Sequence, residues 1–415
     1  MRALIAVALL VAAVPSAAAQ PKEKVMILSW GDVIWQHRGE GVAQLDTPDK
    51  VRAAARTWKE RGVGKVLFRV DDFRIILGHQ LYVAPNNPYI QEWSATSKKA
   101  WESGLLPAAV AAIKQEGMGV EAWITIFDEG APPAVLYSDS SFFPWQSNFT
   151  RENPQYLVCD RSLTPNQRKH QWGVMEYAYP EVRRYMLEQI RTFSDRFPFD
   201  GVFLSVRSHS PPAEHGDQFG FNEPVVREYQ RRYGRDILRQ AFDLEKWREL
   251  RGEYLTQFLR EVRDHLKSKG QKLAIGVQQG EHAGPPFGNM VIDWRRWTSE
   301  RLIDELVVGH ITNERARYPH RTQRAAGYLQ SQEEGVGLPP IEAALERDYG
   351  PLAARHGVRL YVEPRSFYLG YDHAAYGSGR QPEERRRALL PALEQIGALA
   401  GVVYSYREIV GGGIH

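Results

Sequence analysis

Eight short apolar runs, each ending in polar residues and separated from the next by a helix-like segment, set what this chain can fold into. They are Lys24–Trp35, Lys65–Phe73, Val120–Asp128, Gly201–His209, Lys272–Gln279, Leu306–Asn313, Arg359–Arg365 and Gly401–Arg407. Parallel strands need a long crossover between them, and a helix supplies it, so this alternation is the pattern of βαβ units. Eight units are the number that closes a (β/α)8 barrel, which takes ~250 residues or more with insertions. The expected fold is a single TIM-type α/β barrel over residues 20–415, with its active site at the carboxyl ends of the strands.

The helices follow from spacing and caps. Pro48–Arg61 places Val51, Ala54, Ala55 and Trp58 at helical intervals, and Thr47 can cap it. Ala100–Gln115, Pro180–Phe197, Leu244–Ser268, Asp293–Leu302, Pro340–Arg355 and Pro382–Leu399 complete the set. The chain stops soon after the eighth run, at Gly411–His415, so an eighth helix is not expected. Two connections are too long to be simple loops, 129–179 after the third run and 210–243 after the fourth. The first holds Tyr137, Phe142, Phe143, Trp145, Phe149, Tyr156 and Trp172. Two readings stand for these rings: faces that stack on sugars, or a small core of the loop's own.

The amino end reads as an export signal over residues 1–19. Arg2 gives a basic start, Leu4–Val14 is an apolar stretch too short to span a bilayer, and Ala17–Ala19 offers small residues for cleavage. A secreted or periplasmic protein with no stable membrane anchor is the expectation. Cys159 is the only cysteine, so no internal disulfide forms and the core holds the fold unaided. A net charge of +3 across 415 residues is too small to argue for nucleic acid.

Side chains alternate along a strand, and the bulkier branched residues mark the helix-covered face. By that parity the fourth run turns Phe203, Ser205, Arg207 and His209 inward, the second Arg69 and Asp71, and the seventh Tyr361, Glu363 and Arg365. The sixth gives His310, Thr312 and Glu314; the fifth Gln278 and His282 with Glu281 adjacent; the eighth Ser405 and Arg407. Trp30 and Asp32 come from the first, and the third ends at Asp128 and Glu129. These positions assume strands without bulges. A mouth so rich in carboxylates suits glycoside cleavage, in which one carboxyl protonates the leaving oxygen and the other attacks the sugar or activates water. Glu363 is the central candidate, with Glu314, Asp71, Asp128 and Glu281 as possible partners. Trp30, Asp32, Arg69, Arg207, His209, Gln278, His282, His310, Tyr361, Arg365 and Arg407 are the expected substrate-binding residues. The four arginines either hold an acidic substrate through bidentate bonds or pair with neighbouring carboxylates.

Other chemistries lack their patterns. No His-x-His or His-Glu-x-x-His spacing points to a metal, no Gly-x-Ser-x-Gly elbow to a serine hydrolase, and no glycine-rich fingerprint to a nucleotide cofactor. No cofactor is expected.

Several motifs occur in a telling order. Asn153-Pro154 leads to Ala178-Tyr179-Pro180-Glu181-Val182-Arg183; Asp200-Gly201-Val202 enters the fourth run; Asp293-Trp294-Arg295-Arg296-Trp297 and Leu302-Ile303-Asp304-Glu305-Leu306 precede the sixth. With these the chain resembles the secreted bacterial family 10 glycosylhydrolase-like proteins, over about half its length. The resemblance implies a TIM barrel that acts on glycans. Those relatives often carry an acid on the fourth strand, in an Asp-Gly-x-x-x-Asp pattern; here the last position is Ser205, and Arg207 follows. Many retaining barrel glycosidases place a glutamate on the seventh strand, where this chain has Glu363. The expected function is a glycoside hydrolase-like enzyme on a polysaccharide or oligosaccharide, with acidic glycans among the candidates. A lyase on uronic-acid glycans and a non-catalytic glycan-binding barrel are the alternatives, the latter because of Ser205.

Overall fold

A computed structural model describes residues 22–28, 45–73, 81–83, 88–131, 145–163, 173–206, 217–282, 290–310, 339–364 and 381–411. Its centre is a closed barrel of eight parallel strands: β1 (Glu23–Leu28), β2 (Val63–Arg69), β3 (Gly119–Thr125), β4 (Gly201–Ser205), β5 (Lys272–Val277), β6 (Glu305–Val308), β7 (Arg359–Val362) and β8 (Leu399–Ser405). They pair in chain order, and β1 closes the ring on β8, with Glu23 beside Gly401 and Ile27 beside Ser405. Each of the eight expected runs holds one strand. Among the described residues the ladder ends earlier than expected after β2, β3, β5 and β8, at Arg69, Thr125, Val277 and Ser405.

The helices lie outside. Pro48–Glu60 (α1) starts with Thr47, whose side chain accepts from the Lys50 amide, and buries Val51, Ala55 and Trp58. The expected helix at 100–115 is broken: Gly104, at a φ of 73°, ends Pro88–Glu102 (α2) and begins Leu105–Gln115 (α3). Only a residue without a Cβ takes that left-handed turn cheaply. Pro180–Ser194 (α4), Leu244–Lys267 (α5), Trp294–Ser299 (α6) and Gln381–Gln395 (α7) match expected segments. A short helix absent from the sequence expectation, Tyr406–Val410 (α8), follows β8. Tyr406 meets Trp58 of α1 edge-on, and Arg61 donates to the Ile409 carbonyl, so this turn covers the closing seam.

The long connections carry structure of their own. Leu81–Val83, Trp145–Ser147 and Gly130–Ala131 pair antiparallel as a small side sheet, which ties the excursion after β2 to the one after β3. Phe149 stacks on Tyr185 of α4 at 3.9 Å between centroids, and on Tyr156 at 5.7 Å. Among the described rings, the small-core reading therefore describes Phe149 and Tyr156. After β4, Phe221, Val225, Tyr229, Ile237, Trp247 and Leu250 form a satellite core on α5.

Inside the barrel the side chains fall into layers. An apolar belt of Val25, Ile27, Leu67, Trp123, Phe203, Ala274, Val307, Tyr361 and Val403 fills the middle. Each Val, Leu, Ile or Phe of the belt is worth roughly 1.5–3 kcal/mol on full burial. Below it, at the amino end, lies an ionic layer. The Lys65 ammonium bonds Glu121 Oε1 at 3.1 Å and also Glu305, while Lys272 reaches Glu305 at 3.3 Å. Burial opposes the Lys65 charge, but Glu121 and Glu305 more than offset it and raise its pKa. Burial, reinforced by the negative charge of Glu305, pushes the Glu121 carboxyl up to about 7 against the pull of Lys65. Its Oε2 has no hydrogen-bond partner among the described residues.

A carboxyl whose folded-state pKa lies above its ordinary 4.5 binds its proton more tightly in the native protein than in the unfolded chain. Its contribution to stability is complete below about 4.5 and is lost as the pH rises through about 7. Glu121→Gln keeps an acceptor for Lys65 and removes that titration. Denaturant midpoints taken at pH values on either side of this window should show the variant gaining on the wild type toward alkaline pH; parallel curves would refute the assignment.

Candidate functional site

Above the apolar belt, the next inward positions are Arg69 on β2, Thr125 on β3 and Ser205 on β4, with Gln278, His310 and Glu363 just beyond β5, β6 and β7. All six are buried. Asp71 and Asp128 join them from the turns after β2 and β3 and are buried as well.

One half of the group is organised by Arg69. Its Nε donates to Asp71 at 2.9 Å, and its Nη2 lies 3.6 Å from Asp128. Asp71 also accepts from the Thr125 amide at 3.0 Å and the Thr125 hydroxyl at 2.6 Å. Three donors on two oxygens fix this carboxylate and, through it, the guanidinium. Arg69 in turn stands over the Trp123 ring, 5.6 Å from its centroid.

The other half centres on His310. Nε2 shares a 2.6 Å hydrogen bond with Ser205 Oγ, and Nδ1 shares a short one with Glu363 Oε2. Trp123 and Phe203 meet the imidazole edge-on, at 5.7 and 5.3 Å between centroids. Two glycines make this possible. On β6 it is Val307 that faces in and Leu306 and Val308 that face the helices, so strict alternation would not deliver His310 to the interior. Gly309, at a φ of 80°, breaks the alternation and turns the next side chain inward. Gly276 on β5 clears the space: a Cβ there would stand 2.7 Å from His310 Cγ and 2.5 Å from Phe203. Trp123 roofs the apolar belt, and its indole N–H is buried with no hydrogen-bond partner among the described residues.

Three expected mouth residues are placed elsewhere. Tyr361 faces in, but its hydroxyl donates to Glu23 at 2.8 Å, at the opposite end of the barrel, where the ionic layer takes it up. Glu281 is 56% exposed and pairs with Arg295 on α6, because the chain after β5 leaves the barrel at Gly280. His282 follows it outward, lies 3.6 Å from Glu245 and forms an isolated bridge with Val291. Gln278 stays inside and donates to the His282 carbonyl. Trp30, Asp32, Arg207, His209, Glu314 and Arg365 lie outside the described residues. So do the side chain of Arg407, whose backbone is in α8, and the expected signal at residues 1–19. Cys159 is buried, and burial together with Glu176 and Asp160 pushes its thiol up to about 12, which leaves it protonated and unreactive.

Thr125, Ser205 and Trp123 belong to this site although they are not among the expected site residues. Thr125 and Trp123 share the inward parity of β3 with Glu121, so alternation on that strand would have found them. Among the described residues no group of three or more His, Cys, Asp or Glu is arranged to hold a metal, and no helix is long and apolar enough to cross a membrane.

In the ring order, β3 and β7 stand four strands apart in either direction. Asp128 and Glu363, which follow these strands, therefore come from opposite walls of the mouth. Arg69, Asp71, Thr125 and Ser205 bridge the wall between β2 and β4, since Thr125 and Ser205 are register partners. The chemistry on offer is two buried carboxyls from facing walls, one beside a guanidinium and one beside an imidazole.

The chain resembles an S-layer-related protein of Niallia circulans, with 22% identity over 72% of its own length, and it spans only 19% of that relative. In fold it is similar to the catalytic domain of the β-amylase from Paenibacillus polymyxa, at a TM-score of 0.51 and 12% identity, with 94% of this chain and 93% of that one covered. The glycoside hydrolase domain of PgaB from Bordetella bronchiseptica follows at a TM-score of 0.49 and 13% identity, covering 94% and 96%. The likeness to the β-amylase domain agrees with the barrel fold. The sequence profile of the Glycosyl hydrolase-like 10 family matches residues 78–336, more than half of the chain, and the protein belongs to that family.

Proposed function

We propose that this protein cleaves glycosidic bonds in a polysaccharide or oligosaccharide, with Glu363 and Asp128 as its carboxyl pair. The observation that carries the reading is their placement: two buried acids from opposite walls at the carboxyl end of the barrel, in a chain of a glycosyl hydrolase-like family. A glycosidic bond lying between such walls has one acid for its leaving oxygen and another for the sugar carbon or an attacking water. Glu363, in contact with an imidazole that can share its proton, is the acid toward the leaving oxygen. Asp128, beside the Arg69 guanidinium, is the carboxylate for the other face. Asp71 is saturated by Arg69 and Thr125 and serves to hold the arginine.

Trp123 supplies the floor. A buried indole N–H without a partner costs about 1–3 kcal/mol, and a sugar hydroxyl would give it an acceptor. Arg69 is engaged by two aspartates and adds little to an anionic subsite, so an acidic substrate would depend on Arg207, Arg365 and Arg407. Export to the cell exterior accords with the S-layer-related relative and completes the reading.

The test is a glycan panel with reducing-end detection and ultraviolet detection of unsaturated products. New reducing ends without unsaturation are expected, and Glu363→Gln or Asp128→Asn should each lower turnover by about 10²–10⁴-fold while folding is kept. Unsaturated products would point to a lyase. Glycan binding with no turnover in the wild type would replace the enzyme by a binding barrel, the reading that Ser205 in place of an acid favours.

Trp123→Phe should leave the melting temperature close to that of the wild type, since the lost ring area is offset by the removal of an unmatched donor. Glycan affinity should fall about tenfold, the equivalent of one lost hydrogen bond. A large drop in stability with unchanged affinity would make Trp123 a purely structural residue.

A further inference from the structure

The contact sequence Ser205 Oγ, His310 Nε2, His310 Nδ1, Glu363 Oε2 is continuous and buried throughout. The three residues come from different strand ends, Ser205 closing β4 and His310 and Glu363 just beyond β6 and β7. The serine stands where the family resemblance leads one to expect an acid. We infer that Ser205 and His310 are positioning residues that hold Glu363 and its proton in a two-state relay, an inference that rests on the glycosidase reading for its catalytic consequence but not for its existence.

In the deprotonated state a neutral imidazole donates from Nδ1 to the Glu363 carboxylate, and Nε2 accepts the Ser205 hydroxyl proton. Uptake of one proton gives two choices: an imidazolium against a carboxylate, or a neutral imidazole against a carboxylic acid. The site is buried, with aromatic edges from Trp123 and Phe203 on the ring, and burial disfavours separated charge. The neutral form requires the imidazole to swap tautomers: Glu363 now donates to Nδ1, and Nε2–H donates to Ser205. A hydroxyl can make that exchange because it donates in one state and accepts in the other. A carboxylate at position 205 could only accept, and would trap the histidine as imidazolium between two acids. The serine is thus what leaves the proton on Glu363, where a leaving glycosidic oxygen can take it.

The other charged groups at this end among the described residues are Arg69 and Asp71 from β2 and its turn, Asp128 and Glu129 after β3, the latter accepting from the Tyr185 hydroxyl, and Glu408 after β8, which accepts from the Ser405 amide. Arg69 is paired with both aspartates and stands over Trp123, across from the imidazole.

The test is ¹⁵N NMR of the imidazole nitrogens in the full chain labelled at histidine, with the His310 signals assigned by His310→Gln. At alkaline pH the proton should sit on Nδ1, and acidification should move it to Nε2 without an imidazolium signature. Ser205→Thr should keep this exchange, Ser205→Ala should abolish the tautomer swap, and Ser205→Asp should give imidazolium across the accessible range. An ordinary imidazolium titration in the wild type, or the same spectra in Ser205→Ala, would overturn the relay. If His310→Gln does not fold, the histidine signals that shift in Ser205→Thr, which keeps a hydroxyl against the ring, assign His310 instead.

Turnover on the glycan identified by the panel gives the second readout. The alkaline limb of the rate profile should follow the apparent pKa of the pair; Ser205→Ala should shift that limb and lower the rate by about tenfold or more, with Ser205→Thr restoring both. A tautomer swap without any glycan turnover would sustain the relay and sink the glycosidase reading. Turnover with no swap would do the reverse.

Discussion

Closing eight parallel strands into a ring leaves an interior just wide enough for side chains, and every inward residue must then either fill that space or find a partner in it. The ring here is closed by the pairing of β1 with β8, and the seam is covered by the contact of Trp58 with Tyr406. From this constraint come the three interior layers: ion pairs at the amino end, an apolar belt in the middle, and the carboxyl-end polar group. The apolar belt stands between the other two, so each polar layer draws its partners from its own end of the barrel.

That requirement explains why so many expected substrate contacts are internal contacts. Arg69 is bound by Asp71 and Asp128, and Asp71 by Thr125. His310 is held from both nitrogens. A site assembled this way is rigid before substrate arrives, which is what preorganised acid–base chemistry needs. Glycines do as much as the polar residues. Gly309 redirects the chain and Gly276 removes a side chain, and without both the imidazole ring has no place in the barrel.

The fold was legible because it is written in a long-range rhythm. Eight apolar runs separated by capped helical segments leave few alternatives, and even the wrong details, such as the split at Gly104, do not alter the ring. The site was legible only where strands behave ideally. Ser205 and Glu363 follow from alternation on β4 and β7. His310 was placed correctly for a reason that does not hold, since the parity of β6 is set by Val307 and reset at Gly309. Glu281 and His282 were misplaced because nothing in their identity marks Gly280 as the point where the chain turns away. Tyr361 shows a further limit: parity gives the face of a strand, but not which end of the barrel a long side chain reaches for.

The apolar belt also acts as a barrier to protons. Glu121, its carboxyl pushed up to about 7, lies on one side of it and the His310–Glu363 pair on the other, with Val25, Ile27, Leu67, Phe203, Val307 and Val403 between them. None of these side chains carries an exchangeable proton, so the two ends of the barrel interior have no proton path to each other through it. Acidification strengthens the frame through Glu121 without a proton passing the mouth.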